Sequence, residues 1–199
     1  MTSQRSLIRS VMEEPDVSPW MKALAAYDRG VHQHSLLVAE IAEVFTAMLG
    51  LSQIDQRHFV KAGLLHDVGK MEIPLTILNK PGELEEHEME VVRSHPERGH
   101  RMLMDFNLYR YSADILDIVL HHHEKLDGSG YPKGLQGTTI RIVVRAMTLC
   151  DIYAALIEPR AYRPGLSFQE ALQIMVGWAL NWMRSSSPCS VLSAPNGTT

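Results

Sequence analysis

Apolar residues in this chain recur at every third or fourth position, and no stretch alternates them with polar residues as a half-buried strand would. Between Ser35 and Leu49 the set Leu36, Leu37, Ile41, Val44, Phe45 and Met48 marks one side of a helix that Gly50 stops. Ser52 caps a second helix, which carries Phe59, Val60, Leu64 and Leu65 and ends near Gly69. The stretch from Pro74 to Gly82 contains Pro81 as well and reads as a connector. A charged, exposed helix follows over Glu85 to Ser94. Pro96 suits the first turn of the next, which runs past Met102 and Leu103. Ile115, Leu116, Val119 and Leu120 predict a helix over 113–123. Asp127 to Gly137 holds four glycines and a proline and is a loop. In Ile140 to Ile157 the β-branched run Ile142-Val143-Val144 would suit a strand, but the length and Ala146, Ala154 and Ala155 favour a buried helix. Ser167, with Glu170 three residues on, opens the last helix through a capping box. The fold class is all-α.

A chain of 199 residues corresponds to one domain with short extensions. At that size folding buries roughly 70% of the extended surface, so no disulfide or zinc staple is required. We read residues 1–29 as an N-terminal arm, loose or briefly helical, 30–184 as the domain, and 185–199 as a disordered Ser/Pro/Gly/Thr-rich tail. A net charge of −4 argues against a partner as large as polymeric nucleic acid. The uncharged stretch Ala171 to Met183 is too short and too polar to span a bilayer. Arg5 and Arg9 have no apolar segment behind them, so no secretory signal is visible. Cys150 and Cys189 cannot form a disulfide framework, which makes a reducing cytoplasm the expected compartment.

Ten histidines are unusual in so short a chain. Single histidines on helices are more often packing or surface residues than ligands, and His32, His58, His87, His100 and His121 are assigned that role. Seven residues remain as candidate ligands: His34, the pair His66-Asp67, His95, the pair His122-His123, and Asp151. Imidazole and carboxylate without thiolate suit iron, manganese, nickel or zinc outside a zinc-finger type of site. A carboxylate has two oxygens and can bridge, so seven ligands with one bridge fit a two-metal site of the kind that clamps a phosphoryl group.

His66-Asp67-Val68-Gly69-Lys70, His95-Pro96-Glu97-Arg98-Gly99, and His122-His123-Glu124 followed by Asp127-Gly128-Ser129-Gly130-Tyr131-Pro132 resemble the HD-GYP family of metal-dependent phosphodiesterases. Lys80-Pro81-Gly82, Gly134-Leu135, Arg145 and Asp151 extend the agreement, which covers roughly residues 30 to 175. The resemblance implies an HD-type helical bundle with the GYP loop extension, hydrolysing cyclic di-GMP to linear pGpG or onward to GMP in bacterial signalling. It implies that His34, His66, Asp67 and Asp151 hold one divalent metal and Asp67, His95, His122 and His123 the other, with iron or manganese as the leading candidates. Lys70, one helical turn from His66, is implied to reach the phosphate and act with Asp67 in catalysis. Gly128, Gly130 and Tyr131 are implied to wall the substrate site, and Arg160 and Arg163 to recognise phosphate through the guanidinium donor fork. Signalling proteins such as diguanylate cyclases are the implied partners.

Two features depart from the family pattern. Some members place a glutamate four residues before the first histidine, where it helps to hold a third metal. Gly30 stands there in this chain, so two metals are expected. After about Met175 the sequence does not follow the family's usual final helices. A catalytically silent, messenger-binding domain and a phosphohydrolase of another nucleotide are the competing readings.

Overall fold

The computed structural model describes residues 6–107, 110–159 and 165–185. Among them the regular elements are helices: α1 (Leu7–Met12), α2 (Ser18–Tyr27), α3 (Arg29–Met48), α4 (Gln53–Leu65), α5 (Leu75–Leu78), α6 (Glu86–Arg93), α7 (His95–Asn107), α8 (Ala113–His121), α9 (Ile142–Ile157) and α10 (Phe168–Ser185), with 3-10 turns at Val68–Glu72 and Gly137–Thr139. An isolated antiparallel bridge between Asp127 and Gln136 closes the neck of the glycine-rich loop. The chain divides into two compact units, one up to Ala154 and one from Ala155 onward. The first contains all seven candidate ligands. Among the described residues no helix is long and apolar enough to cross a membrane.

Local chemistry accounts for the boundaries. Ser52 Oγ accepts the Asp55 amide at 3.2 Å and starts α4. Glu170 Oε2 accepts the Ser167 amide at 2.8 Å, completing the capping box before α10. The β-branched run at Ile142 is helical, with Val144, Met147, Cys150, Asp151 and Ala154 buried at helical spacing. α3 begins six residues before Ser35, because Asp28 Oδ1 accepts the Val31 amide at 2.8 Å and caps it there. That extra turn and a half brings His34 inside the helix. The connector after Pro74 holds the one-turn helix α5.

The stretch 1–29, read from sequence as an arm, instead supplies α1 and α2, and Ile8, Val11, Val17 and Met21 belong to the same buried cluster as the central helices. Charge fixes them as well as apolar contact. Glu14 pairs with Arg57 and with the buried Lys61, whose Nζ also lies 2.8 Å from Asp16. The cluster runs through Val38, Ala39 and Ala42 of α3, Val60, Leu64 and Leu65 of α4, Leu103 of α7, and Ile115, Ile118 and Val119 of α8. Full burial of each such leucine or isoleucine contributes about 1.5–3 kcal/mol. It sets α3, α4, α7 and α8 side by side, with their ligand-bearing segments at a common centre.

Candidate metal centre

Five of the seven candidate ligands stand at helix ends and two within helices. His66 and Asp67 follow the last residue of α4, His95 is the first residue of α7, and His122 and His123 follow α8. His34 and Asp151 project from the interiors of α3 and α9. All are buried except the partly buried His123.

The helix α4 stops at Leu65 and not near Gly69, and the reason lies in how α7 approaches. A Cβ on Gly69 would lie 2.0 Å from the His95 carbonyl oxygen and 2.4 Å from the Gly99 nitrogen. The backbones of the two motifs therefore touch where neither glycine carries a side chain, and this contact brings His95 against Asp67.

The two oxygens of Asp67 face different imidazoles. Oδ1 lies 3.1 Å from His95 Nε2 and 3.8 Å from His122 Nε2. Oδ2 lies 3.3 Å from His66 Nε2 and 4.0 Å from His34 Nε2. Asp151 Oδ1 accepts from His34 Nε2 at 2.9 Å and is 3.9 Å from His66 Nε2, while its Oδ2 is 4.0 Å from His123 Nδ1. Two donor groups result, Asp67 with His95, His122 and His123, and His34 with His66 and Asp151. Within each, the donor atoms lie within 4.8 Å of one another. The resemblance puts Asp67 in both sets; here it falls within the first group, and its Oδ2 lies 3.3 Å from His66 Nε2 of the second.

Three of the imidazoles are locked in one tautomer. His66 Nδ1 donates to Gly63 O at 2.8 Å, His95 Nδ1 to Val92 O at 2.8 Å, and His122 Nδ1 to Val119 O at 3.0 Å. A carbonyl only accepts, so Nδ1 holds the proton and Nε2 presents a lone pair inward. The Nε2 atoms of His95 and His122 meet at 3.2 Å, where two lone pairs repel. His66 Nε2 and Asp67 Oδ1 are buried without any hydrogen-bond partner. A cation satisfies such a set of lone pairs, and these residues fit divalent metal.

The electrostatics agree. Burial pushes the Asp67 carboxyl up, but His66, the Lys70 ammonium and the His95 imidazole close beside its oxygens outweigh it and hold the group well below the ordinary range. Asp151 is lowered too, its hydrogen bond from His34 and the surrounding imidazoles overriding burial. Burial, followed by neighbouring histidines, lowers His122 strongly and brings His123 down to about 3; His95 is lowered by burial despite Asp67. Carboxylates ionised and imidazoles neutral is the state that binds metal.

Lys70 lies in the 3-10 turn after α4, not on α4 itself, and its Nζ is 2.6 Å from Asp67 Oδ2. Tyr131 stacks on His123 with ring centroids 4.8 Å apart. Gly128 has φ +81°, with the Gln136 side chain filling the space beside it. Arg160 and Arg163 lie outside the described residues. Gly30 occupies the first turn of α3. None of the five histidines set aside from sequence joins either donor group. His121 instead pairs with Asp117 at 2.6 Å.

Three positioning residues escaped the sequence reading. Glu124 is 3% exposed and accepts the Lys133 and Leu135 amides at 2.6 and 2.9 Å. Thr148 Oγ1 donates to the His122 carbonyl at 2.8 Å, tying α9 to the end of α8. Arg145 reaches the carbonyls of Ile140 and Gly137 at 2.6 and 2.9 Å. Glu124 and Arg145 stand inside recognised motifs, but what they contact is decided by the folded loop.

A family model described as HD domain matches residues 18–184. A cyclic di-GMP phosphodiesterase of Pseudomonas aeruginosa is 39% identical over 169 residues, 85% of this chain and 40% of that protein. A 3′3′-cGAMP-specific phosphodiesterase of Vibrio cholerae is 38% identical over 144 residues, 72% of this chain and 32% of that protein. The chain thus spans less than half the length of either. Among solved structures, the HD domain of the L. monocytogenes phosphodiesterase PgpH in complex with cyclic-di-AMP superposes with a TM-score of 0.62 at 16% identity, covering 86% of each chain. Its helical fold, its paired His/Asp donor groups and the span of the family match agree: this chain belongs to the HD domain family, with the motif set of the HD-GYP proteins.

Proposed function

We propose that this domain is a metal-dependent phosphodiesterase that hydrolyses cyclic di-GMP to linear pGpG or onward to GMP, in the cytoplasm of a bacterium. The observation that carries the reading is Asp67, whose two oxygens face two separate imidazole sets. His34, His66, Asp67 and Asp151 would hold one cation, and Asp67, His95, His122 and His123 the other. Iron or manganese suits this nitrogen and oxygen donor set best, with zinc and nickel also compatible. Two bound divalent cations supply Lewis acidity, offsetting phosphoryl charge and making water a stronger acid.

The chain's own residues supply the rest. The overall reaction adds water across a P–O3′ bond, with the proton ending on the departing O3′. Lys70 sets a positive charge beside Asp67 where a phosphoryl oxygen is to be neutralised. Tyr131, stacked on His123, and the backbone at Gly128 and Gly130 are assigned to the wall beside the substrate. Arg160 and Arg163 are assigned to phosphate recognition, and diguanylate cyclases are the proposed signalling partners.

The Vibrio relative supports a second reading, with 3′3′-cGAMP as substrate. Purified protein loaded with manganese, or with iron under anaerobic conditions, is incubated with each dinucleotide, and products are resolved by chromatography. Hydrolysis of cyclic di-GMP with about two metals per chain is the expected result. Turnover of cGAMP alone would move the assignment to the second reading, and loaded protein that cleaves neither dinucleotide would overturn the enzyme reading.

A further inference from the structure

Glu124 directly follows the candidate pair His122-His123, yet its carboxylate belongs to neither donor group. It is almost fully buried, and both its oxygens are taken by backbone amides of the loop, Lys133 N at 2.6 Å and Leu135 N at 2.9 Å. Hydrogen bonds to an ionised carboxylate are about twice as strong as neutral ones. On the other side, the Tyr131 amide donates to the His123 carbonyl at 3.3 Å. Between these contacts the loop presses on the chain after α8. A Cβ on Gly130 would lie 2.3 Å from Lys125 N, 2.5 Å from Glu124 Cα and 2.6 Å from His123 O, so only glycine fits there. The Tyr131 ring emerges from this clamp onto His123, its centroid also 6.4 Å from that of His95.

We infer that Glu124 is a positioning residue: its carboxylate staples the glycine-rich loop to the end of α8 and thereby sets Tyr131 over His123 as the wall of the substrate site. Glu124 acts through Tyr131 and not on the metals. The inference rests on the phosphodiesterase reading only for its kinetic consequence; the staple itself is read without activity.

The test compares the full chain with Glu124→Gln, Glu124→Asp, Tyr131→Ala and the double variant Glu124→Gln/Tyr131→Ala. Gln keeps the shape but turns an NH2 donor toward an amide donor. Asp keeps the charge but is one methylene too short to reach both amides. Hydrogen exchange should quicken at Lys133 and Leu135 by about tenfold or more in both Glu124 variants, the scale of losing one such bond. Exchange in α3 and α4 should be unchanged, and bound manganese should stay at the wild-type value. With cyclic di-GMP, KM should rise about tenfold with kcat changed far less, and the double variant should be no worse than Tyr131→Ala. Unchanged exchange at the two amides, loss of manganese, or losses that multiply in the double variant would each overturn the staple. The exchange pattern in the variants, together with wild-type protein that shows no hydrolysis, would overturn the phosphodiesterase reading and leave the staple standing.

Discussion

Lys70 Nζ lies 2.6 Å from Asp67 Oδ2, the same oxygen that faces His66 and His34. An ammonium and the carboxylate proposed to bridge the metals share one edge of the site, and on that proposal Lys70 neutralises charge there without being a ligand. Lys70→Ala should keep its metals and lose roughly 10²–10³-fold in kcat, the scale of removing one preorganised electrostatic stabiliser. Metal analysis beside steady-state kinetics checks this. Loss of metal in the variant would make Lys70 part of the binding shell instead.

Asp67→Asn should be the most damaging single change at the site. The amide nearly preserves shape but removes the negative charge and leaves one good oxygen donor where two are needed, one toward each imidazole set. Metal content should fall and turnover drop by roughly 10³-fold or more. His121→Ala is the control. It breaks the pair with Asp117, leaves Arg141 near that carboxylate at 3.5 Å, and should hold activity within a few-fold. An active Asp67→Asn enzyme, or a folded but dead His121→Ala enzyme, would mean the centre is misplaced.

Gly69→Ala tests the backbone contact that unites two motifs. Its Cβ would meet the His95 carbonyl oxygen at 2.0 Å, backbone that cannot rotate away. Overpacking of this kind costs about 3 kcal/mol, and separating α7 from Asp67 should weaken the metal bound by His95, His122 and His123 before the other. At Gly99 the added Cβ would meet nothing nearer than 3.1 Å, so Gly99→Ala should be milder. Thermal unfolding and metal titration of both variants decide it, and equal stability of the two would refute the contact.

Acid should destabilise the chelator-treated protein. His123 falls from an ordinary 6.5 to about 3 in the fold, and His122 is lowered in the same sense. Below pH 6.5 the unfolded chain takes up these protons while the folded one does not, so stability declines as pH falls through that window. Asp67 and Asp151, held below their ordinary 3.8, add stability present above that value and lost as pH falls further, through their folded values. The melting temperature should therefore drop steadily from pH 7 to 4.5, with a shallower slope in His123→Gln. A flat profile would show that the buried histidines take up protons without cost.

Much of this was legible in the chain because it rests on local chemistry. Helical spacing of apolar residues, the caps at Ser52 and Ser167, and the motif order around His66, His95 and His122 point to an all-α fold and single out the seven candidate ligands that the fold brings together. Less was legible where short elements depend on distant partners. α1 and α2 look like an arm because Ile8 and Val11 span barely a turn. Their burial, and the pairing of Glu14 and Asp16 with Lys61, exist only once α4 lies beside them.

The sequence by itself therefore determined which side chains are available and which helices carry them, since periodicity and capping act over a few residues. Tertiary structure alone decided which oxygen of Asp67 faces which imidazole, that Gly69 and Gly99 touch, and that Glu124 joins neither donor group and holds the loop. Those relations depend on which elements the fold brings against one another and on how closely their backbones can approach, which no local pattern specifies.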